Sequence, residues 1–545
     1  MLSQQVTYDW KHVIPGNAYT TLCCMATDSS GNMYVGGRLD STVTFVDTTI
    51  NNTEITGFLA KFTPDGDMVW FKQFDYSQCV YSLCFDSEDN LYISGSYNGK
   101  VQIDDTLLYT YNIDTTFFGM FIAKFDTDGN RIWAKTTAGT FYYESGYGKL
   151  KQMTIDKDDN LVIVGFGLDD LNYFDTTGTY NPIDSVWVTS PWPPHWEYHN
   201  YYSNYMVKYN KDGQRLWIKD LGGYDQHYLA IATDYSNNIL LTGYFWDDRP
   251  FVVDSVTLIA SGGENLFIIK YNQNGQLLWA QRGGGANNGP NMGLEIISDS
   301  INNIYLTGQM SGGGVEFGGN IYFYNGTYDK AFIVKYDSIG IVKWVKRIQG
   351  TNPYAGYSSG LSIVIEHNYI YLGGFFRDTL LLGFTSLISP VYPAGLFLKY
   401  DVDGNLLDAA MDIVSGNIVY PNEFSISKDK YYVAGNKAYY TSSWEWDIFL
   451  GKIAEPFLSG VEFVIINNNI NCIYYPNPCQ DILNIGFNDS SPKIINIFDI
   501  NGNLKNTLNQ NTDWGVINVS DFLPGVYLFQ VQSNAGIFTR KFIKN

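Results

Sequence analysis

The chain has little charge, few histidines and no long apolar run. Charged residues make up 16% of it, the five histidines are scattered, and 55 acids outnumber 34 lysines and arginines. A net charge of −21 disfavours binding to the phosphate backbone of DNA or RNA, which needs basic patches, so we expect no nucleic-acid partner. No apolar stretch reaches the ~18 residues that cross a bilayer, so we expect no transmembrane segment.

Cysteine is also scarce, and its spacing matches no zinc site. The six cysteines form no paired C-x-x-C units; they are Cys23, Cys24, Cys79, Cys84, Cys472 and Cys479. We therefore expect no metal. A disulfide between Cys472 and Cys479 is an open alternative, and buried free thiols are the expectation for the other four.

Aromatic residues and glycine are abundant, and they recur in a repeated phrase. Aromatics make up 16% of the chain and glycines number 53; bulky rings suit pleated sheets and glycine suits their turns. The clearest copy is FLAKFTPDGDMVWFK at residues 58–72. It returns at 121–135, 205–219, 267–281 and 332–346, decays at 397–409, where Asp408 replaces the tryptophan, and is truncated at 448–453.

A second phrase precedes each copy of the first. It reads MATDSSGNMYVGG at residues 25–37, which predicts a strand, a tight turn and a strand. The two phrases together give four antiparallel strands per unit, the content of one propeller blade. The units begin near residues 19, 80, 147, 226, 291, 357 and 421, so we predict an all-β chain with a seven-bladed β-propeller at 1–453.

The seventh unit lacks an outer strand with a tryptophan after Ile453. The N-terminal sequence Tyr8-Asp-Trp-Lys11 repeats the Trp-then-Lys ending of the other units. We therefore predict that residues 6–13 become the outer strand of the last blade, which would close the ring and protect its sheet edges.

The Asp-rich clusters at 126–130 and 401–405 raise the question of calcium. A calcium loop converges several oxygens on one ion, and the EF-hand type ends in a bidentate acid, but no glutamate stands at the twelfth position of either cluster. We interpret them as turns in which Asp and Asn bond their own backbone, and we expect no cofactor, with calcium as the alternative. The tryptophan after each turn is expected to pack between blades.

The third unit carries a long aromatic insertion between strands that end near Phe166 and start near Tyr205. Its candidate ligand-binding residues are Trp187, Trp192, His195, Trp196, Tyr198, Tyr201 and Tyr202. Loops on a rigid scaffold often carry binding function, and exposed aromatic clusters mark contacts. The alternative is that these rings fold back on the blade as a lid and contact nothing external.

Composition changes after Ile453. Residues 454–472 fit no blade and end in an asparagine run, so we interpret them as a linker. Residues 473–545 then form a separate small β domain. Its predicted strands lie near 482–487, 494–499, 515–519, 526–532 and 539–543, with turns at 501–502 and 524–525.

This last segment resembles the type A C-terminal sorting domain of type IX secretion system cargo. The resemblance rests on YPNP at 475–478, DILNI at 481–485, IFD at 497–499, NG at 501–502, PGVYLF at 524–529 and RKFIK at 540–544. It implies a β-sandwich that is read by the outer-membrane translocon and then removed by the C-terminal signal peptidase. The residues that carry the signal would be Pro476, Asn477, Pro478, Asp499, Gly502, Pro524, Gly525, Tyr527, Lys541 and Lys544.

Cargo of this kind is secreted or displayed on the outer cell surface after it crosses the inner membrane on an N-terminal leader. The opening residues MLSQQVTY have neither the basic nor the apolar region of such a leader. We therefore expect that a leader ending near Ser3 has been removed or is missing from this sequence.

The repeats resemble the bacterial SBBP β-propeller family between about residues 19 and 453. The shared phrases are D-x-x-[GD]-N-x-Y-[VI]-x-G and F-[IL]-[AV]-K-[FY]-x-x-x-G. This resemblance implies the fold and leaves the function open, because propellers host many roles.

Catalytic signatures are weak. The Asp-box of sialidases is not matched, because Asp65 abuts Gly66 and no threonine precedes Trp70. Cys23-Cys24 could mimic the vicinal disulfide of quinoprotein dehydrogenases, but the quinone and calcium ligands are not recognisable, and buried thiols are the simpler interpretation. No Ser-His-Asp set, H-E-x-x-H or phosphate loop appears.

A monomeric, non-catalytic binding propeller with a polysaccharide or surface-protein ligand is therefore the favoured function. A carbohydrate-active hydrolase or lyase with its acids in the channel stays open, because acids from distant blades leave no local spacing. A structural spacer in a surface assembly is the third alternative.

Overall fold

Strands provide nearly all of the regular structure. The computed structural model describes residues 6–16, 20–40, 42–46, 48–51, 55–109, 118–137, 139–140, 153–168, 202–222, 226–246, 250–260, 263–285, 291–311, 315–322, 330–348, 358–382, 385–412, 418–427, 430–440, 444–454, 472–475, 479–487, 492–499, 503–512, 514–533 and 536–544. None of these residues is helical, and so no helix among them could cross a membrane.

Residues 8–453 form seven sheets, each built on four antiparallel strands, which follow sequence order in sheets 1 to 6. Sheet 1 has Thr21–Thr27, Met33–Leu39, Thr56–Phe62 and Met68–Phe74; sheet 2 has Ser77–Phe85, Leu91–Asn98, Phe118–Phe125 and Arg131–Thr137; sheet 3 has Met153–Ile155, Leu161–Leu168, Tyr202–Tyr209 and Arg215–Gly222; sheet 4 has Gln226–Thr233, Ile239–Phe245, Asn265–Tyr271 and Leu277–Gly285. Sheet 5 has Asn291–Ser298, Ile304–Met310, Lys330–Tyr336 and Val342–Ile348; sheet 6 has Ser358–Glu366, Tyr369–Leu382, Thr385–Asp401 and Leu406–Asp412; sheet 7 has Ile418–Ser427, Lys430–Tyr440 and Trp444–Ile453, followed by Tyr8–Ile14.

Short strands decorate several sheets. Most lie in the connection between a second and a third strand: Val43–Phe45 with Thr48–Ile50, Lys100–Ile103 with Thr106–Tyr109, Phe251–Val253 with Val256–Leu258, and Val315–Phe317 with Asn320–Tyr322. The strand Gly139–Thr140 instead pairs with Leu161–Leu168 of sheet 3.

The seven sheets are arranged in a ring. The first strand of each sheet contacts the first strand of the next, and that of sheet 7 contacts that of sheet 1. Seven apolar clusters lie between neighbouring sheets, including one that joins sheet 7 to sheet 1. No sheet in the described part of the chain closes on itself; the ring is held by packing between sheets.

The repeated tryptophan packs on the turn of the next sheet. The ring of Trp70 lies against Gly129, and the ring of Trp344 lies against Gly404. Both glycines have positive φ, at 84° and 79°. Since a side chain there would meet the indole ring and strain the backbone, glycine is required. This confirms that the tryptophans pack between sheets.

The N-terminal strand completes the seventh sheet, as predicted. Tyr8–Ile14 pairs antiparallel with Trp444–Ile453, and Trp10 stands opposite Lys452. The Trp10 ring lies against Gly66, and its Nε1 donates a hydrogen bond of 3.1 Å to the Pro64 carbonyl. Trp10 therefore occupies the same place as the tryptophans of the other sheets.

The repeated lysine stands opposite the tryptophan and joins two sheets. Lys270 pairs with Trp279 across the strands, and its Nζ lies 2.8 Å from Asp234 of its own sheet. The same Nζ donates a hydrogen bond of 2.9 Å to the Ser338 carbonyl in the turn of sheet 5. Lys270 and Asp234 are both buried, so each is the other's charge partner within the core.

The departure at Asp408 has a structural reason. Asp408 stands opposite Lys399 in sheet 6, where the other sheets have tryptophan. The outer strand of sheet 7 comes from the N-terminus, so no hairpin turn joins its last two strands to receive a tryptophan. Instead Tyr8 and Lys11 of that strand reach Asp412 at 2.7 and 2.9 Å.

The acids of the hairpins bond their own turns. Asp126 Oδ1 accepts hydrogen bonds from the backbone N–H groups of Asp128 and Asn130, at 3.0 and 2.8 Å. Asp401 makes the same two bonds to Asp403 and Asn405. These contacts are those expected of Asx turns, so the turn interpretation accounts for these acids.

The C-terminal domain consists of two sheets around one core. The first has Cys472–Tyr475, Ile482–Phe487 and Trp514–Asn518; the second has Leu504–Gln510, Lys493–Asp499, Gly525–Ser533 and Gly536–Lys544. Buried residues from both sheets share a cluster, which makes this domain a β-sandwich. Five of the strands were predicted. Leu504–Gln510 was missed, and Cys472–Tyr475 begins at a residue assigned to the linker.

Candidate functional site

The predicted ligand-binding insertion falls on residues 169–201, so six of its seven candidates lie outside the described residues. The seventh, Tyr202, is the first residue of a strand. The two flanking strands, Leu161–Leu168 and Tyr202–Tyr209, pair without interruption, with Leu168 opposite Tyr202. Both ends of the insertion are therefore anchored side by side on a paired strand.

A cavity of about 460 Å³ lies at the centre of the ring. It is lined by the first strands of six sheets, with residues such as Thr27, Tyr81, Glu295 and Glu423. This volume is within the range of ligand pockets in proteins. The cavity is thus a second candidate site.

Bulges in the first strands shape the cavity wall. The pairing of a first strand with its second strand shifts by one residue between Leu22 and Cys24, between Gly293 and Glu295, and between Tyr420 and Glu423. A bulge bends its strand and re-aims the next side chain. The residues that follow the shifts are Cys24, Ser82, Ala230, Glu295, Ser362 and Glu423.

Two carboxylates therefore share the lining of the cavity. Glu295 Oε2 accepts a hydrogen bond of 2.8 Å from the backbone N–H of Ile363, which joins sheet 5 to sheet 6. Both Glu295 and Glu423 are buried. The described residues that line the cavity include these two acids and no lysine, arginine or histidine.

The charge of Glu423 affects the pKa of a neighbouring thiol, Cys24. Burial raises the pKa of Cys24 well above its usual range, and the charges of Cys23 and Glu423 raise it further. Cys24 is therefore a neutral thiol at the cavity wall.

An apolar cluster lies at the level of the bulges. Leu229, Leu294 and Leu361 are the extra residues of three of these bulges, and they are buried together with Met292 and Phe375. The cavity lies further along two of these strands, where its lining begins at Glu295 and Ile363. In an antiparallel sheet the second strand ends, and the third begins, where the first strand begins. The ends of Leu161–Leu168 and Tyr202–Tyr209 that flank the insertion therefore lie at the end of the ring away from the cavity.

Side chains of the first turns link the sheets at the cavity end. Asp89 accepts hydrogen bonds from the N–H and Oγ of Ser29, at 3.0 and 2.5 Å, and Asp159 accepts the same pair from Ser87. Asp89 and Asp159 have positive φ, at 61° and 59°, where glycine would be less strained. The link to the preceding sheet explains why an acid stands there.

The cavity could hold a hydroxyl-rich or cationic ligand, since carboxylates, hydroxyls and backbone groups line it. A buried carboxyl can also serve as a general acid or base. The described residues contain no group of three or more histidine, cysteine or acidic side chains placed to bind one metal ion.

Sequence reasoning missed Glu295 and Glu423, because the acids lie two repeat units apart along the chain and no motif joins them. A signal was available nonetheless. When the first strands are aligned at the bulge, these two acids stand at a position that Cys24, Ser82 and Ala230 fill in other sheets.

Several residues of the predicted sorting signal are described. Asp499 accepts hydrogen bonds from the backbone and side chain of Asn503, both at 2.9 Å, which together with Lys505 lower its pKa far below the usual range. The Tyr527 hydroxyl donates to the Leu523 carbonyl at 2.8 Å, and its ring stacks on Phe542.

The remaining signal residues divide into two groups. One group lies in or next to the last two strands: Pro524, Gly525, Lys541 and Lys544. Lys544 is buried, and its backbone forms an isolated parallel β-bridge with that of Cys479. Pro476, Asn477, Pro478 and Gly502 lie outside the described residues.

Comparison with solved structures finds several proteins at low similarity. The dipeptidyl peptidase 4 of Porphyromonas gingivalis is 11% identical, with 83% of this chain and 57% of that chain covered and a TM-score of 0.33. PorZ, a surface component of the type IX secretion system of the same organism, is 11% identical, with 96% and 86% covered and a TM-score of 0.23. A glycoside hydrolase is 9% identical, with 83% and 96% covered and a TM-score of 0.25.

Comparison with curated proteins finds one relative from Acanthamoeba polyphaga mimivirus, described as an uncharacterised WD repeat-containing protein. It is 24% identical over 405 residues, and the match covers 63% of this chain. This chain spans 28% of the length of that relative.

Residues 473–545 match the family model described as the secretion system C-terminal sorting domain. This match confirms the resemblance seen in the sequence motifs. The domain directs export through the type IX system, and it indicates that this protein is secreted to the cell surface or the extracellular space.

Proposed function

We propose that the seven sheets are the blades of a β-propeller of the SBBP type, and that this propeller is a non-catalytic binding protein exported by its sorting domain. Four-stranded sheets packed in a ring are the architecture expected of a propeller. The 24% sequence identity to a WD repeat-containing protein supports this proposal, because WD repeats form four-stranded blades.

The observation that carries the binding role is the anchored insertion of sheet 3. Its connection spans residues 169–201, whereas the same connection in sheet 1 spans 40–55. The strands at its two ends are paired over their whole length, so the loop is held on a rigid support. Loops of this kind commonly carry binding residues.

The proposed ligand is a polysaccharide or a protein of the cell surface. Trp192 and Trp196 would stack on sugar faces in the first case and be buried by the partner in the second. The acidic balance of the chain favours neutral or cationic surfaces over anionic ones.

A glycan array with the full chain tests the proposal. We expect saturable binding that falls by at least ~10-fold in Trp192→Ala and Trp196→Ala, the loss of about 1.4 kcal/mol or more. Trp246→Ala is the matched control, because Trp246 is 41% exposed at the end of a second strand in sheet 4, outside the insertion. Equal loss in all three variants would contradict a role for the insertion.

Absence of glycan binding would direct the test to protein partners. The full chain would then be used to capture surface proteins, with the same three variants compared. If neither glycans nor surface proteins bind, the binding role is wrong and a structural spacer is favoured.

A carbohydrate-active hydrolase or lyase is the second candidate, because Glu295 and Glu423 line one cavity. Paired carboxylates can act as acid and base, or as acid and nucleophile, on a glycosidic bond. If so, Glu295→Gln and Glu423→Gln would each lower kcat by at least ~100-fold on a polysaccharide substrate. Glu366→Gln is the control, since Glu366 stands at the end of a first strand but does not line the cavity.

A further inference from the structure

Two cysteines from neighbouring sheets meet in the core of the ring. Cys23 Sγ of sheet 1 lies 3.0 Å from Cys79 Sγ of sheet 2. Both are buried, with 9% and 1% of their surfaces exposed. Cys23 therefore contacts a cysteine of the next repeat, and not Cys24, its neighbour in the sequence.

The bulge in sheet 1 separates the two adjacent cysteines. The pairing shifts between Leu22 and Cys24, so Cys23 is the extra residue. Cys24 packs against Gly36 and donates to the Val80 carbonyl at 3.5 Å. Cys23 is left to contact Cys79. A bulge therefore selects the inter-sheet partner over the sequence neighbour.

We propose that Cys23 and Cys79 form a disulfide in the exported protein, which cross-links sheets 1 and 2. Exported proteins mature in an oxidising environment, where disulfides form and persist. The sulfurs need to approach by about 1 Å to reach a bond of about 2.05 Å. The bond closes a long loop, which restricts the unfolded chain.

The two thiols differ in acidity within the packed ring. The hydrogen bond from Cys79 lowers the pKa of Cys23, and the nearby Arg38 guanidinium lowers it further, although burial opposes them. Burial and the contact with Cys23 raise the pKa of Cys79. Within the packed ring Cys23 is therefore the more acidic thiol of the pair.

The oxidant is a disulfide, from an oxidoreductase or oxidised glutathione. One cysteine of the pair, written here as Cys23, attacks one of its sulfurs as a thiolate and displaces a thiolate, which leaves a mixed disulfide. Cys79 then loses its proton to solvent, attacks the Cys23 sulfur and displaces the second thiolate. The pair gives up two electrons and two protons, and the oxidant becomes two thiols. Because the folded ring covers both sulfurs, the reaction precedes the packing of sheet 2 on sheet 1.

Peptide mapping tests the proposal directly. The full chain is refolded with oxidised and reduced glutathione, alkylated while denatured and digested without reductant. We expect a peptide in which Cys23 is linked to Cys79, and its loss after reduction. Cys84→Ser, the matched control, should retain it. Recovery of Cys23 and Cys79 as alkylated thiols, or of Cys23 linked to Cys24, would overturn the proposal.

Thermal unfolding gives the second readout. Reductant should lower the melting temperature of the oxidised full chain by about 3–5 °C, because it removes the constraint on the unfolded state. Cys79→Ser should melt at the same temperature with and without reductant. A reductant effect that persists in Cys79→Ser would assign it to another bond and contradict a Cys23–Cys79 cross-link.

Discussion

Asp408 should make the stability of this protein fall as pH rises. It stands where the other sheets have tryptophan, only 6% exposed, with its Oδ1 bonded to the Ala409 N–H at 2.7 Å. Burial raises the pKa of Asp408 to about 7, although the Ala409 bond and Lys399 oppose the shift. The carboxyl is therefore held protonated when folded at pH values where the unfolded chain has already released the proton.

The sign follows from the raised pKa. Below about pH 4 both states hold the proton, and the stabilisation is fully present. Between about pH 4 and 7 the unfolded state loses its proton and the folded state keeps it, so stability falls; above pH 7 the loss is complete. A difference of about three pKa units corresponds to about 4 kcal/mol at most, and we expect about 2–4 kcal/mol.

Asp408→Asn removes this titration and keeps the shape of the side chain. We expect the variant to gain about 2–4 kcal/mol over the wild type at pH 8 and nothing at pH 4, measured by guanidinium unfolding of the full chain. Asp126→Asn is the control of opposite sign, because turn hydrogen bonds outweigh burial and lower the pKa of Asp126. A difference between Asp408→Asn and wild type that stays constant from pH 4 to 8 would refute the reasoning.

Three further predictions concern ring closure, the core and export. Trp10→Ala should cost about 2–4 kcal/mol in urea unfolding, because its ring packs on Gly66 and its indole N–H bonds Pro64, whereas Trp246→Ala should cost under about 1 kcal/mol; equal costs would contradict closure by the N-terminal strand. Lys270→Met should cost about 3–5 kcal/mol by leaving Asp234 buried without its partner, and adding Asp234→Asn should recover most of that loss; no recovery would mean that the lysine acts by packing alone. Deletion of residues 473–545 should keep the protein inside a host with a type IX system, as cell fractionation would report, and undiminished protein in the medium would contradict the sorting role.

The repeat made most of the fold predictable. Each hairpin is local, and its Asp, Gly and alternating apolar residues act within a few positions, so strand boundaries in the sheets follow from the phrases. The N-terminal closure was also predictable, because Trp10 repeats the tryptophan that ends the other units. The strand Leu504–Gln510 was missed, because its alternating residues are largely polar and exposed, which gives no apolar signal.

Some of the candidate sites were predictable from the sequence, and others were not. The sorting signal was predictable because its motifs are contiguous, and the aromatic insertion was visible as an interruption of the repeat. Glu295 and Glu423 were not, because only the ring brings the first strands of distant units to one cavity. The Cys23–Cys79 contact likewise depends on a bulge. A bulge is a feature of the pairing between two strands, and the repeated sequence motifs do not predict it.

By itself, therefore, the sequence determined the four-stranded unit, its sevenfold repetition, the strand that completes the last sheet and the export signal. All of these depend on residues close together in the chain or on repetition of one pattern. Tertiary structure alone decided which side chains face the central cavity, which cysteine meets which, and why an aspartate replaces tryptophan at position 408. These depend on how separate sheets pack, and packing brings together residues that are hundreds of positions apart.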